Sequence, residues 1–380
     1  MIGAGTMGSG IAQVTATSGH ETLLFDADPR MVSRAKQGHS DTMNKLVEKG
    51  KLSRETANQI LASITYATHP NEFSECDFVI EAIVENLDFK QKLFNDIEKI
   101  VDEDCILATN TSSLSVTSIA SVCNNPSRLI GIHFFNPAPL MPLVEIVKGI
   151  ATADDIEART KEMIVGLQKI PVLAKDTPGF IVNRIARPFY GESIRIYEEG
   201  IADFATIDWA MKEKGFKMGP FELMDLIGND INYTVTETVW SQLFFDPRYK
   251  PSLTQKRLFE AKRFGKKSGQ GYYSYAPGSI LPEPKKDQAS AEIIFMRVIS
   301  MLINEAADAL YFGIASRDDI DLAMTKGVNY PKGLLKWCDE IGADKILTQL
   351  NALKEEYAED RYRPSVLLTR MVKEKKKFHA

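Results

Sequence analysis

The chain has 380 residues, of which 44% are apolar and 26% charged, so it can bury a sizeable core and divide into two or three domains. Its formal net charge of -5 provides no global basic field, which argues against nucleic acid as a partner. The cysteines show no CxxC spacing, and no signal peptide or membrane-spanning apolar run is evident, so we expect no metal, no membrane partner and a cytoplasmic location.

The first half of the chain alternates short apolar runs with amphipathic segments. The apolar runs predict strands buried on both faces, and the amphipathic segments predict helices. In chain order these are a helix over residues 7–18, strands over 21–26 and 77–84, a helix over 88–101, and strands over 105–109 and 128–135. The alternation predicts an α/β fold with a Rossmann-type, doubly wound parallel sheet.

Residues 29–64 form a longer excursion from this alternation. The pattern predicts two helices broken at Lys49-Gly50-Lys51, with further lysines along the first helix. Two interpretations remain open, a solvated helical hairpin and a basic arm that contacts an anionic substrate tail.

After Asp154 the strands nearly stop and helical periodicity dominates through Leu310. Residues 175–179 (KDTPG) predict a hinge, because the turn residues there include a proline suited to the start of a helix. An internal repeat follows, in which Glu192 and Ile207-Asp208 recur as Glu305 and Ile320-Asp321 at a constant offset of 113 residues. We therefore predict a Rossmann NAD-binding domain over 1–177, an all-α domain over 178–280, and a second copy of the helical domain over 290–380.

A glycine-rich motif opens the first predicted helix. Gly3, Gly5 and Gly8 form a GxGxxG pattern, and Asp26 closes the next apolar strand eighteen residues after the third glycine. The glycines allow a tight turn and close approach of a pyrophosphate, and the acid is placed to bind the adenosine ribose and to repel a 2′-phosphate. The motif thus predicts NAD rather than NADP. Only two residues precede Gly3, so either the sequence is truncated or the sheet tolerates a short central strand.

The strongest catalytic candidate is His133, at the carboxyl end of an apolar strand, where ligands bind in open α/β sheets. Removing the proton of a secondary alcohol suits an imidazole, and a carboxylate partner would orient the ring. Glu145, in the next apolar run, is the natural partner. The alternative is a core histidine whose hydrogen bonds are satisfied by the backbone. The other four histidines are expected in turns, on polar helix surface or in the tail, with His39 on helix surface.

Two further polar positions fall near predicted strand or domain ends. Ser112, just after the strand over 105–109, can bond a substrate oxygen or, alternatively, cap the following helix. Asn183, just past the hinge, can reach back toward the cleft or make a polar contact between domains.

Eight motifs carry a resemblance to a known family: GAGTMGSGIAQV, EAIVEN, NTSSL, HFFNP, LVE, KDTPGFIVNR, MGPFEL and FGKKSGQGYY. With these motifs in order, the sequence resembles the 3-hydroxyacyl-CoA dehydrogenases, including the 3-hydroxybutyryl-CoA dehydrogenases, over about residues 1–275. Residues 290–380 are similar to the extra helical domain found in longer members and in multifunctional fatty-acid oxidation enzymes.

The resemblance implies roles for individual residues. His133 matches the catalytic histidine, Glu145 its partner, and Ser112 and Asn183 the polar groups near the substrate carbonyl and hydroxyl. The implied cofactor-binding residues are Gly3, Gly5, Thr6, Met7, Gly8, Asp26, Glu85, Lys90, Ser112, Asn136 on the nicotinamide side, and Lys267. The excursion over residues 29–64 corresponds to the arm that meets the CoA moiety.

The implied reaction is the reversible, NAD-dependent oxidation of a (3S)-3-hydroxyacyl-CoA to the 3-oxoacyl-CoA in fatty-acid metabolism. Alternatives are a dehydrogenase of free hydroxy acids or sugar acids and a non-catalytic NAD-binding scaffold. We also expect the two helical copies to pack against each other as an intramolecular pseudo-dimer, although a homo-oligomer is not excluded. The second copy has KGLLKW in place of MGPFEL, so its expected role is structural.

Overall fold

A computed structural model describes residues 1–379, and the chain divides after Thr177 into a first unit, Met1–Thr177, and a second unit that begins at Pro178. The strands of the first unit are β1 (Thr22–Leu24), β2 (Ile64–Tyr66), β3 (Phe78–Glu81), β4 (Ile106–Thr109), β5 (Leu129–Phe134), β6 (Leu143–Lys148) and β7 (Ile170–Lys175). Its α-helices are α1 (Thr6–Thr17), α2 (Pro29–Glu48), α3 (Arg54–Ala62), α4 (Leu87–Ile97), α5 (Val116–Ala120) and α6 (Asp154–Gly166).

The strands form two ladders that meet at the start of the chain. β1 pairs with β2, and a second sheet has the order β3-β4-β5-β6-β7. Ile2 makes parallel bridges to Phe25 and to Glu81, and so joins the two ladders. The predicted α/β class with a Rossmann-type sheet is confirmed. The pairing is parallel except between β5 and β6, which run antiparallel. The prediction of a parallel sheet is therefore wrong for this one pair of strands.

Three of the seven strands lie outside the four predicted ranges, and one of them, β6, coincides with the apolar run that contains Glu145. β2 contains only three residues, too few to show a periodicity. β7 lies beyond Asp154, where the pattern indicated that strands nearly stop, and it contains Pro171. A proline is tolerated in β7 because this strand lies at the edge of the sheet, where one side of its backbone has no strand neighbour.

The excursion after β1 contains the two expected helices, α2 and α3. Gly50, in the turn between them, has a φ of +65°, and Ser53 caps α3 through its side-chain oxygen. The expectation for His39 was wrong, because its side chain is buried. The ring contacts Ser9 of α1 and the hydroxyl of Tyr66, which ties α2 to the first unit's core.

The second unit is helical. Its helices are α7 (Val182–Ile185), α8 (Arg187–Glu198), α9 (Phe204–Glu213), α10 (Pro220–Ile227), α11 (Asn229–Gln242), α12 (Leu253–Glu260), α13 (Gln288–Tyr311), α14 (Arg317–Gly327), α15 (Leu334–Ile341), α16 (Ala343–Tyr357) and α17 (Val366–Glu374). Within residues 1–379, no helix is both long enough and apolar enough to cross a membrane.

The internal repeat has a clear structural counterpart. In the first copy, the carboxylate of Asp208 accepts hydrogen bonds from the first backbone N–H groups of α10. In the second copy, Asp321 does the same for α15. Both helices end at a glycine with positive φ, Gly228 at +107° and Gly342 at +105°. These equivalent caps show that the helical module is duplicated.

The two copies contact each other reciprocally. The Tyr362 hydroxyl of the second copy donates a 2.7 Å hydrogen bond to Glu192 of the first. The Tyr249 hydroxyl of the first copy donates to Glu305 of the second. Tyr249 and Tyr362 are equivalent in the repeat, as are Glu192 and Glu305, so the same contact is made in both directions between the copies.

Candidate functional site

The glycine-rich turn leads from Ile2 into α1. Gly3 has a φ of +100°, and a Cβ atom there would lie 2.5 Å from the carbonyl oxygen of Ala82. A Cβ atom on Gly8 would lie 1.8 Å from the carbonyl oxygen of Gly3, so only glycine lets the helix begin this close to the strand. A Cβ atom on Gly5, the N-cap of α1, would meet nothing within 4 Å. The turn therefore offers open backbone at a helix N-terminus, a favourable place for a phosphate.

Asp26 lies beside this turn. One carboxylate oxygen accepts a 2.7 Å hydrogen bond from the backbone N–H of Ala4, and the other accepts a 2.9 Å bond from that of Asp28. The acid after β1 is thus held against the glycine turn. Thr6 and Met7 form the first turn of α1, with Thr6 exposed and Met7 half-buried.

The antiparallel pairing of β5 with β6 brings His133 and Glu145 together. The two residues are direct partners in the strand register, so their side chains stand side by side. Nδ1 of the ring lies 2.7 Å from Oε2 of the carboxylate. Glu145 is fully buried and His133 is 6% exposed. The carboxylate accepts the Nδ1–H, so the lone pair of a neutral ring lies on Nε2.

Glu85 and Lys90 lie near the carboxyl ends of β3 and β4. The Lys90 ammonium is 3.3 Å from a Glu85 oxygen, and the other oxygen of Glu85 accepts hydrogen bonds from the Thr111 hydroxyl and the Ser112 backbone N–H. Burial alone would raise the pKa of Glu85, but the charge of Lys90 and these hydrogen bonds hold it below its ordinary value. Ser112 is therefore positioned by Glu85, while the cap of α5 comes from Ser115.

Glu81, the last residue of β3, was missed by the sequence reasoning. Its side chain is fully buried, and it accepts hydrogen bonds from Lys90, from the Thr109 hydroxyl at 2.7 Å and from the Ile83 backbone N–H at 2.7 Å. Lys90 thus stands between two carboxylates. The available signal was an acid at the end of a buried strand, a position where an unpaired carboxylate is costly.

Asn136 lies on the loop between β5 and β6, where it is exposed. Lys169 holds the following part of this loop. Its ammonium is buried and donates hydrogen bonds to the carbonyl oxygens of Ala138 at 2.7 Å and Met141 at 2.8 Å. Sequence reasoning gave no signal for Lys169, because its target is backbone rather than a charged side chain.

The remaining two predicted site residues belong to the second unit. Asn183 is half-buried in α7, and its backbone carbonyl accepts a hydrogen bond from Arg187. Lys267 is exposed in a short turn after α12, and its ammonium lies 2.6 Å from Asp230.

The split Rossmann sheet, the glycine turn at α1 and the duplicated helical module define a dinucleotide-binding α/β protein with a helical C-terminal part. The chain belongs to the 3-hydroxyacyl-CoA dehydrogenase family. Residues 1–177 match the family's NAD-binding domain, and residues 179–275 and 294–379 both match its C-terminal domain. The predicted family resemblance is confirmed.

Similar proteins match most of the length of this chain. The 3-hydroxyadipyl-CoA dehydrogenase of Escherichia coli K12 is 37% identical, with 97% of this chain and 96% of that protein covered. The pig mitochondrial hydroxyacyl-coenzyme A dehydrogenase is 40% identical over 72% of this chain and 90% of its own length. The crystal structure of 3-hydroxybutyryl-CoA dehydrogenase from Escherichia coli K12 matches with a TM-score of 0.92 at 36% identity, over 98% of this chain and 97% of that one.

Proposed function

We propose that this chain is an NAD-dependent 3-hydroxyacyl-CoA dehydrogenase that reversibly oxidises a (3S)-3-hydroxyacyl-CoA to the 3-oxoacyl-CoA. The observation that carries the proposal is the buried pair of His133 and Glu145 on adjacent strands, with Nδ1 2.7 Å from Oε2. The pair lies in the part of this chain that matches the family's NAD-binding domain. A core histidine satisfied by backbone groups would not require a fully buried carboxylate beside it.

In this proposal His133 is the general base. Its Nε2 takes the proton of the substrate hydroxyl, and the carboxylate of Glu145 stabilises the imidazolium that forms. Ser112 and Asn183 donate hydrogen bonds to the substrate carbonyl and hydroxyl oxygens. In the reverse direction, the same imidazolium returns its proton to the 3-oxo oxygen as hydride arrives at C3.

The residues around α1 fit a dinucleotide. A side chain at Gly3 or Gly8 would clash with neighbouring backbone and would prevent the turn from lying this close to the strand. The space at Gly5 is open and can accept a pyrophosphate. NAD, when bound, supplies the acceptor for the hydride that leaves C3. Asn136 would lie on the nicotinamide side. The other proposed cofactor-contacting residues are Thr6, Met7, Glu85, Lys90, Ser112 and Lys267.

Asp26 supports NAD rather than NADP. Its carboxylate is fixed beside the glycine turn by the backbone N–H groups of Ala4 and Asp28. A carboxylate in that place accepts hydrogen bonds from a ribose 2′-hydroxyl and repels a 2′-phosphate. We expect NADH to support turnover and NADPH to fail at the same concentration.

The substrate class follows from the family and the names of its similar members. We propose a CoA thioester, with the arm formed by α2 and α3 contacting the CoA moiety. The names printed for similar proteins include two different acyl groups, 3-hydroxyadipyl and 3-hydroxybutyryl. Steady-state kinetics with both CoA esters would therefore define the acyl preference.

The test is NADH oxidation with acetoacetyl-CoA, followed optically, for the parent chain, for His133→Ala and for the surface control Glu162→Gln. We expect rapid turnover by the parent and the control, and its loss in His133→Ala. Turnover with free acetoacetate but not with the thioester would favour a dehydrogenase of free hydroxy acids. NADH binding without turnover of any 3-oxoacyl-CoA would favour a non-catalytic scaffold.

We further propose that helical copies over residues 178–280 and 290–380 form a pseudo-dimer within one chain. Besides the tyrosine contacts, Arg297 of the second copy lies 2.6 Å from Glu192, and its equivalent Arg184 lies 4.0 Å from Glu305. Repetition of one contact on both sides of an axis is what a self-complementary interface requires. Light scattering should give the mass of one chain, and a concentration-independent mass of two chains would contradict the proposal.

A further inference from the structure

Arg187, the first residue of α8, is a buried cation without an acidic partner. It is 7% exposed, and among the residues that the structure describes, the groups whose charge acts on its pKa are the phenols of Tyr190 and Tyr330. No carboxylate is among them. Every other buried arginine of the second unit lies within 4.0 Å of a carboxylate, namely Arg184, Arg248, Arg297 and Arg361. A buried charge without a counter-ion is costly, so packing alone does not explain this position.

The guanidinium of Arg187 lies beside Asn183, to which the proposed function gives a contact with the substrate. Its Nε donates a 2.9 Å hydrogen bond to the Asn183 backbone carbonyl, and its Nη1 donates a 3.2 Å bond to the Thr236 hydroxyl. The centroid of the Tyr190 ring is 4.9 Å from the guanidinium carbon. These contacts hold the group in place but use only two of its five N–H donors, so the remaining donors can bind an anion.

The second helical copy adds a further donor near Arg187. Tyr330 is 5% exposed, and its hydroxyl is buried without a hydrogen-bond partner among residues 1–379. Burial raises the pKa of this phenol well above its ordinary value against the opposing charge of Arg187, so the hydroxyl stays protonated and can donate. The Tyr330 ring also borders a cavity of about 120 Å³. The ring can therefore shift to admit a small polar group beside the guanidinium.

The internal repeat shows that the helical module does not need a cation at this position. At the offset of 113 residues, Asn183 corresponds to Met296 of the second copy. Arg187 corresponds to Ser300, which is fully buried in α13. The same helical position thus packs with a small neutral side chain in one copy and with a long cation in the other. The cation belongs to the copy that carries the proposed substrate-contacting residue, which favours a ligand over packing as its reason.

We propose that Arg187 binds a second carboxylate at the far end of the substrate's acyl chain, with the Tyr330 hydroxyl as a further donor. The inference rests on the proposed function, in which Asn183 contacts the substrate near C3. In a six-carbon chain, the terminal carboxylate carbon lies three bonds of about 1.5 Å beyond C3, roughly 4 Å away. That reach suits a guanidinium held against the backbone of Asn183.

The preferred substrate is then a 3-hydroxyacyl-CoA that carries an ω-carboxylate. The carboxylate supplies the counter-ion that Arg187 lacks within the protein, and a guanidinium can bind it through two parallel hydrogen bonds. A chain of the same length that ends in a methyl group would leave the buried cation unpaired. Arg187 thus discriminates between the two kinds of acyl chain by charge.

The test compares kcat/KM for two CoA esters of equal chain length, 3-hydroxyadipyl-CoA and 3-hydroxyhexanoyl-CoA, in the direction of NAD reduction. We expect the parent chain to prefer the adipyl ester. Arg187→Met should lower kcat/KM for that ester by roughly 10- to 150-fold, the factor that a hydrogen bond to a charged group contributes. The value for the hexanoyl ester should stay unchanged or rise, because methionine occupies the position without a charge.

Two further variants separate the donors from their surroundings. Tyr330→Phe should lower kcat/KM for the adipyl ester alone, by a smaller factor than Arg187→Met, because it removes one neutral donor. Ser300→Ala changes the equivalent position of the second copy and serves as the matched control, so both esters should keep their parent values.

Thermal stability distinguishes a binding role of Arg187 from a structural one. Since Arg187→Met removes an unpaired buried charge, its melting temperature should equal that of the parent or exceed it. A lower melting temperature together with equal losses for both esters would overturn the inference, because Arg187 would then support the fold. Equal kcat/KM for the two esters in the parent would also overturn it and leave the proposed dehydrogenase function intact. Turnover of neither ester would contradict the proposed function itself, and the inference with it.

Discussion

Replacing Glu145 with glutamine tests the core of the proposed mechanism with little change in side-chain volume. Glu145 is fully buried, and its carboxylate lies 2.7 Å from Nδ1 of His133. A hydrogen bond to a charged group contributes about 1.5–3 kcal/mol. Because the imidazolium forms only as the proton moves, this stabilisation belongs to the transition state, and its loss should reduce kcat roughly 10- to 150-fold.

The assay is steady-state NAD reduction with (3S)-3-hydroxybutyryl-CoA at saturating cofactor, the direction in which His133 starts neutral and acts as the base. The KM for the thioester should stay within about twofold, because the proposed role of Glu145 is exerted on the base and not on the substrate. Glu162→Gln, on the exposed face of α6, serves as the matched control and should leave kcat unchanged.

A double-mutant cycle decides whether Glu145 acts through His133. Once the histidine is replaced by alanine, the additional Glu145→Gln change should have little effect on kcat, because the group that it assists is gone. Wild-type kcat in Glu145→Gln, with the variant folded, would refute the reasoning. So would two effects that simply add in the double variant, since they would indicate independent roles.

Three further expectations concern the supports of the site and the helical interface. Lys169→Met should lower the free energy of unfolding by about 1.5–3 kcal/mol, measured in urea, because carbonyl oxygens of the loop after Asn136 lose a charged donor; an unchanged midpoint would contradict this. Glu85 has a lowered pKa, so its ionised form stabilises the fold above about pH 4.3, and this stabilisation is lost as the pH falls through the lower folded pKa. Urea midpoints should therefore fall less between pH 5 and pH 3 in Glu85→Gln than in the parent, and equal slopes would count against the network. Tyr362→Phe and Tyr249→Phe should each cost about 1–2 kcal/mol in the same assay, and a large effect of only one would argue against equivalent contacts.

The sequence was most informative where a local pattern and a chemical requirement coincide. His133 and Glu145 could be paired in advance because each is a polar residue in an otherwise apolar run, and such residues need partners when buried. Their antiparallel register could not be predicted, because alternation in one strand does not reveal the direction of its neighbour. The wrong prediction for His39 shows the same limit, since the burial of its side chain depends on Ser9 and Tyr66, which are distant in sequence.

Other supports of the site depend on tertiary contacts alone. Lys169 binds backbone carbonyl oxygens, which every residue type provides, so no side-chain motif marks its target. Glu81 shares Lys90 with Glu85, but a strand followed by a helix does not fix which of two nearby acids faces the lysine. The repeat was accessible for the opposite reason: two copies within one chain can be compared with each other, position by position.

The reciprocal contacts between the helical copies have a genetic consequence. In a homodimer, one codon change alters the same residue in both subunits and therefore both symmetric contacts. A substitution that weakens one contact then weakens the other as well. In this chain, Glu192 and Glu305 are encoded separately, as are Tyr249 and Tyr362, and each half of the interface can change alone. One copy is then free to keep the MGPFEL segment while the other carries KGLLKW. Covalent linkage also holds the halves at a high effective concentration, so dilution cannot separate them.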